Sequence, residues 1–315
     1  MRIEAVDYHT AGEPFRIVTG GVEPLPGRRI LEKRRFAAAE LDHVRKLLVF
    51  EPRGHADMYG CFVTEPEDDG ADLGVVFFHN AGYSTACGHG TIALVTWALE
   101  SGRLPAEEPE TRVAVDVPSG RLDTVASVRE GRVERVAFRN VPSFVERRGE
   151  VDVAFGGAFY ASVEAPVPVV RETVPRFIEL GRAIKRDLEA ADDFVHPLEP
   201  ELRDIYGVVF WERRGPNRQR NVTVFADGEV DRSPCGSGTS ARLALLDAGG
   251  ELARGETLVH ESVVGTEFEG RVVADAKVAG RPAVVTEVSG SAHFTGRHEF
   301  VLDPGDPLGT GFLLR

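Results

Sequence analysis

Cys87-Gly-His-Gly-Thr-Ile-Ala-Leu-Val-Thr-Trp-Ala-Leu-Glu-Ser-Gly-Arg-Leu104 returns, nearly half a chain later, as Cys235-Gly-Ser-Gly-Thr-Ser-Ala-Arg-Leu-Ala-Leu-Leu-Asp-Ala-Gly-Gly-Glu-Leu252. Both stretches open C-G-x-G-T-x-A. Both continue as about three turns of apolar helix. Both close with Gly and Leu at matching offsets, Gly102 and Leu104 against Gly250 and Leu252. A long-period echo of this kind reads as duplication. Two related half-molecules are expected, each burying one central helix inside a shell of strands. Chance similarity of two Gly-capped helix starts is the alternative. It is weakened because the chain has only three cysteines and two of them fall at the same place in the two copies.

The surroundings fit that shell. Short runs rich in Val, Phe and Thr, bounded by Gly, Pro or Asp, predict strands. They lie at Arg16–Thr19, Gly74–Phe78, Arg112–Asp116, Val133–Phe138, Val151–Ala154, Gly207–Trp211, Asn221–Phe225, Thr257–Ser262, Arg271–Asp275, Ala283–Val288 and Glu299–Leu302. Helical periodicity is clear at Phe36–Val49, Gly90–Ser101, Glu172–Ala190 and Gly238–Leu246. Strands and helices do not alternate as in a doubly wound sheet. The expected class is therefore α/β in the α+β sense. The expected division puts residues 1–125 plus 296–315 in a half carrying Cys87, and residues 126–295 in a half carrying Cys235.

Whole-chain properties narrow the function. A chain of 315 residues can bury a substantial core. A net charge of −13 argues against nucleic acid or an anionic membrane as partner, since phosphate binding needs a basic surface. The opening MRIEAVDYHTAGEP lacks an apolar leader, and no apolar run is long enough to span a bilayer. A cytoplasmic protein is expected. Three scattered cysteines, Cys61, Cys87 and Cys235, do not make a disulfide framework. Cys61 has no Gly-rich helix start and reads as a buried filler.

Each motif cysteine precedes a Gly-rich helix start. The first N–H groups of a helix have no internal partner, and with the helix dipole they favour negative charge. A thiol there is expected to ionise more readily, its pKa falling toward neutrality. The glycines would let a substrate carboxylate approach the backbone. Two like bases from two related halves suit one chemistry in particular. Inverting a stereocentre needs a proton taken from one face and another delivered to the opposite face, with the roles exchanged in reverse.

Other chemistries fit less well. A zinc site built on Cys87, His89, His55 or His79 lacks the usual spacing. A Cys87–His89 or Cys87–His55 hydrolase leaves the second motif unexplained. None of the four lysines stands in a site-like context for a pyridoxal cofactor. A non-catalytic binding protein would need no thiols.

The stretches DYHTAGEP (Asp7–Pro14), EPRGHADMYG (Glu51–Gly60), GYSTACGHGTIAL (Gly82–Leu94), FGGAFYA (Phe155–Ala161) and DRSPCGSGTSA (Asp231–Ala241) resemble the proline racemase family. That family includes proline racemases, hydroxyproline 2-epimerases and trans-3-hydroxyproline dehydratases. The resemblance implies a diaminopimelate epimerase-like fold of two pseudo-symmetric domains, with the active site in the cleft between them. It implies no cofactor and no metal. Cys87 and Cys235 match the catalytic acid/base cysteines. Gly88 and His89 match substrate-binding positions after the first cysteine. Asp231 matches the acid that holds the ring nitrogen, and Gly236 and Ser237 the backbone cradle for the carboxylate. Position 237 is often Thr in the family, and a backbone N–H serves equally from Ser. The bland readings are that His89 caps the helix start, Asp231 is a turn residue, and His55 and Asp57 are structural, as His9 is expected to be.

The branch rests on two signals. Dehydratases typically carry Thr at the second cysteine position, so Cys235 favours two-base isomerisation of proline or a hydroxyproline. The flanks GHADMYG, GYSTACGHG and GAFYA are closer to the dehydratase branch, which makes a trans-3-hydroxy-L-proline dehydratase the alternative. The expected partners are the small imino acid and, in a homodimer, a second copy of the chain.

Overall fold

The computed structural model describes residues 1–314. The chain is a mixed α/β protein with five α-helices and mostly antiparallel strands among the described residues. It divides into two compact units. One comprises Met1–Thr10, Pro14–Val136 and Ser291–Arg315, and the other Ala11–Glu13 and Ala137–Gly290.

In the first unit, Arg2–Thr10 pairs antiparallel with Ala292–Val301, which joins the first strand to the last. Tyr59–Thr64 pairs antiparallel with Leu73–His79, and Glu110–Val117 with Gly120–Arg129. Leu73–His79 is buried along its whole length, as a run with apolar cover on both faces must be. Helices α1 (Ile30–Glu40), α2 (Asp42–Val49) and α3 (Gly88–Glu100) complete this unit.

The single helix expected over Phe36–Val49 is two, broken at Leu41 (φ −114°, ψ 11°). The break turns α2 so that Val44, Leu47, Leu48 and Val49 all enter the core. It also buries Arg45, whose guanidinium donates to the His79 carbonyl at 2.7 Å and to that of Asn80. Packing overrides the continuous period here, because a straight helix cannot present all of these residues to one core.

Helix α3 is buried on all sides except at Trp97 and Glu100. A helix apolar all round has to be central. It lies against Arg2–Thr10 and Ala292–Val301. Full burial of each Leu or Val in it stabilises by roughly 2 kcal/mol.

The second unit repeats the plan. Its central helix α5 (Gly236–Ala248) is buried from Gly236 to Leu246. Glu267–Val278 and Arg281–Gly290 form a long antiparallel hairpin against α5, with burial alternating along each strand. Ile205–Gly215 pairs antiparallel with Arg218–Phe225, which also runs parallel to Leu258–Ser262. Helix α4 (Val174–Ala191), entered through a 3₁₀ turn at Arg171–Thr173, is amphipathic and buries Phe177, Gly181 and Leu188. No described helix is long and apolar enough to cross a membrane.

Candidate functional site

In the first unit, Cys87 is the N-cap residue of α3, with an extended backbone (φ −154°, ψ 97°). Its sulfur folds back over the helix start and accepts a hydrogen bond from the Gly90 N–H at 3.3 Å. The imidazole of His89 lies against the same sulfur, with Nε2 at 3.4 Å. Two aromatic rings hold that imidazole edge-on, Phe15 at 5.6 Å and Tyr59 at 5.0 Å between centroids. Thr10 donates from Oγ1 to the His89 carbonyl at 2.9 Å. Cys87, Gly88 and His89 are all buried.

Gly90 has a reason the motif alone does not show. A Cβ there would stand 2.7 Å from the Cys87 sulfur and 2.4 Å from the Phe15 ring. Gly238 is its counterpart, with a Cβ position 2.9 Å from the Cys235 sulfur. The second glycine of each motif is needed because the thiol itself occupies the space a side chain would take.

In the second unit, Cys235 opens α5 at φ 61° and ψ 101°. A non-glycine residue rarely adopts this conformation, which costs on the order of 1–3 kcal/mol. The Tyr160 hydroxyl lies 3.8 Å from its sulfur and 2.6 Å from the Ser237 hydroxyl. Ser237 Oγ stands 4.0 Å from the sulfur. Ser237 therefore meets the thiol with its side chain, besides having the backbone N–H on which its expected role rests. Gly236, which follows Cys235, is buried at the helix start.

Asp231 ends the short strand Glu229–Asp231, pairs in register with Thr223 and is almost wholly buried. Its Oδ1 accepts from the Ser233 N–H at 2.8 Å and from the Ser233 hydroxyl at 2.7 Å. Both of these are local turn contacts, so the turn role and a ligand role coexist. Arg232, next in sequence, is held by Glu13: the Arg232 N–H donates to Oε2 at 2.7 Å, and its guanidinium meets Oε1 at 3.2 Å.

The electrostatics of this half correct one expectation. Burial, with the Asp231 charge adding to it, pushes the Cys235 thiol up to about 12. Helix N–H groups favour the thiolate, but removing it from water outweighs them here. Burial also raises Asp231 to about 6. Ionisation of either group is thus opposed by its burial.

Asp7 holds Arg16 through two hydrogen bonds of 2.9 and 2.7 Å, and Phe300 stacks over that guanidinium at 4.2 Å. His9 lies against His293, ring centroids 5.1 Å apart. His55 meets the Ala56 carbonyl at 2.8 Å, and Asp57 takes a positive φ of 63°. Cys61 is fully buried, and burial raises its thiol well above the ordinary range. Sequence reasoning passed over Tyr160, although it sits in the quoted stretch FGGAFYA. It also passed over Thr10, Phe15, Tyr59, Ser233 and His260. Apart from Ser233, which stands two positions before Cys235, these residues reach a cysteine motif only through the fold.

The family model described as proline racemase matches residues 5–313. The chain is similar to a trans-3-hydroxy-L-proline dehydratase of Burkholderia cenocepacia, 47% identical over 99% of this chain and 98% of that protein. It is equally similar, at 47% over the same shares, to a 3-hydroxyproline 2-epimerase of Burkholderia multivorans. A proline racemase of Clostridioides difficile is 39% identical over the same shares. Among solved structures, a hydroxyproline epimerase from Agrobacterium vitis with bound trans-4-OH-L-proline superposes with a TM-score of 0.93 at 31% identity. It covers 99% of this chain and 96% of its own. A PhzF-family phenazine biosynthesis protein of Bacillus anthracis shares the fold alone, with a TM-score of 0.57 and 12% identity over 96% of this chain and all of its own.

Proposed function

This chain belongs to the proline racemase family, and from that premise we propose that it inverts the Cα of proline or a hydroxyproline with Cys87 and Cys235 as opposed acid and base. The observation that carries this reading is the matched pair of buried thiols, each at the start of a buried helix and each with its own polar partner. One cysteine takes the Cα proton as thiolate while the other delivers a proton as thiol, and the roles exchange in the reverse direction. Neither step needs a cofactor.

Asp231 is assigned to the substrate's ring ammonium. A cation there stabilises both the carboxylate and a Cys235 thiolate, so substrate binding favours the ionisation that burial opposes. His89 assists at the Cys87 side. Helix N–H groups at Gly88, Gly236 and Ser237 are assigned to the substrate carboxylate, where charge builds as the proton leaves.

Deuterated water tests the mechanism. The enzyme should place deuterium at Cα of its substrate with inversion, and a substrate turned over without Cα exchange would sink the reading. A panel of proline and the 3- and 4-hydroxyprolines, assayed for optical rotation and for pyrroline formation, identifies the substrate.

A second reading is favoured by the 47% identity to a trans-3-hydroxy-L-proline dehydratase. One cysteine would remove the Cα proton and the other would protonate the departing 3-hydroxyl. Water would leave, and the resulting enamine would tautomerise to a pyrroline. Formation of pyrroline in the panel selects this reaction.

A further inference from the structure

Cys235 holds an unfavourable backbone conformation, and the atoms around it show how. Two peptide groups flank its Cα, and both are clamped. The carbonyl of the preceding peptide, Pro234 O, accepts from Asn221 Nδ2 at 2.9 Å and from Thr239 Oγ1 at 3.2 Å. The N–H of that same peptide, Cys235 N, donates to Ser233 Oγ at 3.1 Å. The carbonyl of the following peptide, Cys235 O, accepts from the Thr239 N–H at 2.7 Å. With both planes held, φ and ψ of Cys235 have no freedom to relax.

His260 ties the clamp together. It lies on Leu258–Ser262, beside the strand that carries Asn221, and is fully buried. Its Nε2 stands 2.7 Å from Asn221 Nδ2, and its Nδ1 stands 2.8 Å from Thr239 Oγ1. The pattern admits one assignment of protons. Pro234 O can only accept, so the amide nitrogen of Asn221 faces it and also donates to Nε2. The His260 proton is then on Nδ1 and points to Thr239 Oγ1, which leaves the threonine hydroxyl proton for Pro234 O. A neutral ring is required, and burial lowers the His260 pKa to about 3, which keeps it neutral.

In the other motif the equivalent threonine bonds differently. Thr91, at the position equivalent to Thr239, donates its hydroxyl to the Cys87 carbonyl at 2.9 Å, inside its own helix. Cys87 has an ordinary extended backbone that needs no outside clamp.

We propose that His260 is a positioning residue for Cys235, acting through Asn221 and Thr239 to lock the Pro234–Cys235 peptide so that the thiol is held where it exchanges a proton with substrate. The assignment rests on the two-base reading for its kinetic consequence, but the clamp itself is a structural claim. His260 touches no reacting atom. A misplacement of about 1 Å at a reacting group costs on the order of 10²-fold in rate.

The test compares His260→Phe, Thr239→Val and Thr239→Ser with the parent enzyme. His260→Phe and Thr239→Val should lower kcat by about 10²-fold, with KM within about twofold. Thr239→Ser keeps the hydroxyl and should retain activity within about threefold. With Cα-deuterated substrate, the isotope effect on kcat should rise in the direction in which Cys235 takes the proton and fall in the other. A general loss of structure moves both directions alike, and that result overturns the proposal, as does parental kcat in folded His260→Phe or Thr239→Val. If His260→Phe does not fold, Thr239→Val and Thr239→Ser decide. Crystal structures of the variants give a readout without turnover: Cys235 should leave its positive φ in Thr239→Val, and retention of φ near 61° overturns the clamp. Should the parent enzyme fail to exchange Cα hydrogen, the two-base reading falls, and this crystallographic comparison still decides the clamp.

Discussion

Cys87 and Cys235 open helices of equal length and matching sequence, yet their settings differ atom by atom. Cys87 has extended backbone, a backbone N–H on its sulfur and an imidazole beside it. Cys235 has strained backbone and a Tyr160–Ser237 hydroxyl pair beside it. Four residues before each cysteine stand Tyr83 and Asp231. Tyr83 spends its hydroxyl on the Ala37 carbonyl at 2.9 Å, whereas Asp231 is a buried carboxyl. Duplication explains the shared scaffold. The differences sit at the residues that touch the thiols, so each half surrounds its thiol differently on a common helix start.

The sharpest way to break the comparison is to remove one thiol at a time. Cys87→Ser and Cys235→Ser should each lower inversion by about 10²–10⁴-fold or more, the range for loss of a general base. Circular dichroism at the substrate's absorption would follow it. Full activity in either variant would show that the two halves are not both bases. Retained pyrroline formation in Cys235→Ser would leave Cys87 as the single base of an elimination.

Next comes the carboxyl that one half has and the other lacks. An acid raised by burial binds its proton more tightly in the folded state. Its contribution to stability is therefore full below about pH 4 and is lost as pH rises through about 6. Asp231→Asn should remove that dependence, a difference of about 3 kcal/mol across the window. Urea midpoints measured at pH 4 and pH 7 for both proteins would show it, and parallel shifts would refute it.

Smaller effects are expected at the second glycines. Gly90→Ala meets both a sulfur and the Phe15 ring, whereas Gly238→Ala meets a sulfur and Val209 at 3.1 Å. Both should destabilise by about 1–3 kcal/mol, Gly90→Ala more. Thermal melting checks the order.

The smallest change exchanges the residue between the glycines. His89→Ser gives the first motif the second's sequence and should lower kcat by about tenfold, roughly 1.4 kcal/mol in the barrier. Its pH–rate profile should move, and an unchanged profile would make His89 a packing residue alone.

Much of the fold was legible because its signals are local. The two apolar helices follow from a periodicity with no polar face, and such helices can only be central. Most expected strand segments lie within observed strands, as at Gly74–Phe78 and Asn221–Phe225, while Val151–Ala154, Thr257–Ser262 and Glu299–Leu302 each overrun theirs by one residue. The break at Leu41 was hidden, since the apolar pattern runs through it and the turn follows from which residues the fold buries, Val44, Leu47, Leu48, Val49 and Arg45 together.

By itself, the sequence determined that two Cys-Gly-x-Gly helix starts exist, that both helices are buried and that strands enclose them. Repetition and periodicity are properties of neighbouring residues and need no coordinates. Only the tertiary structure decided what surrounds each sulfur. Tyr160 reaches Cys235 across 75 positions, and His260 reaches Thr239 across 21. It also decided the ionisation of Cys235, and against the expectation. A helix start is a local feature that favours the thiolate, but desolvation is set by every atom that excludes water, and those atoms come from the whole unit.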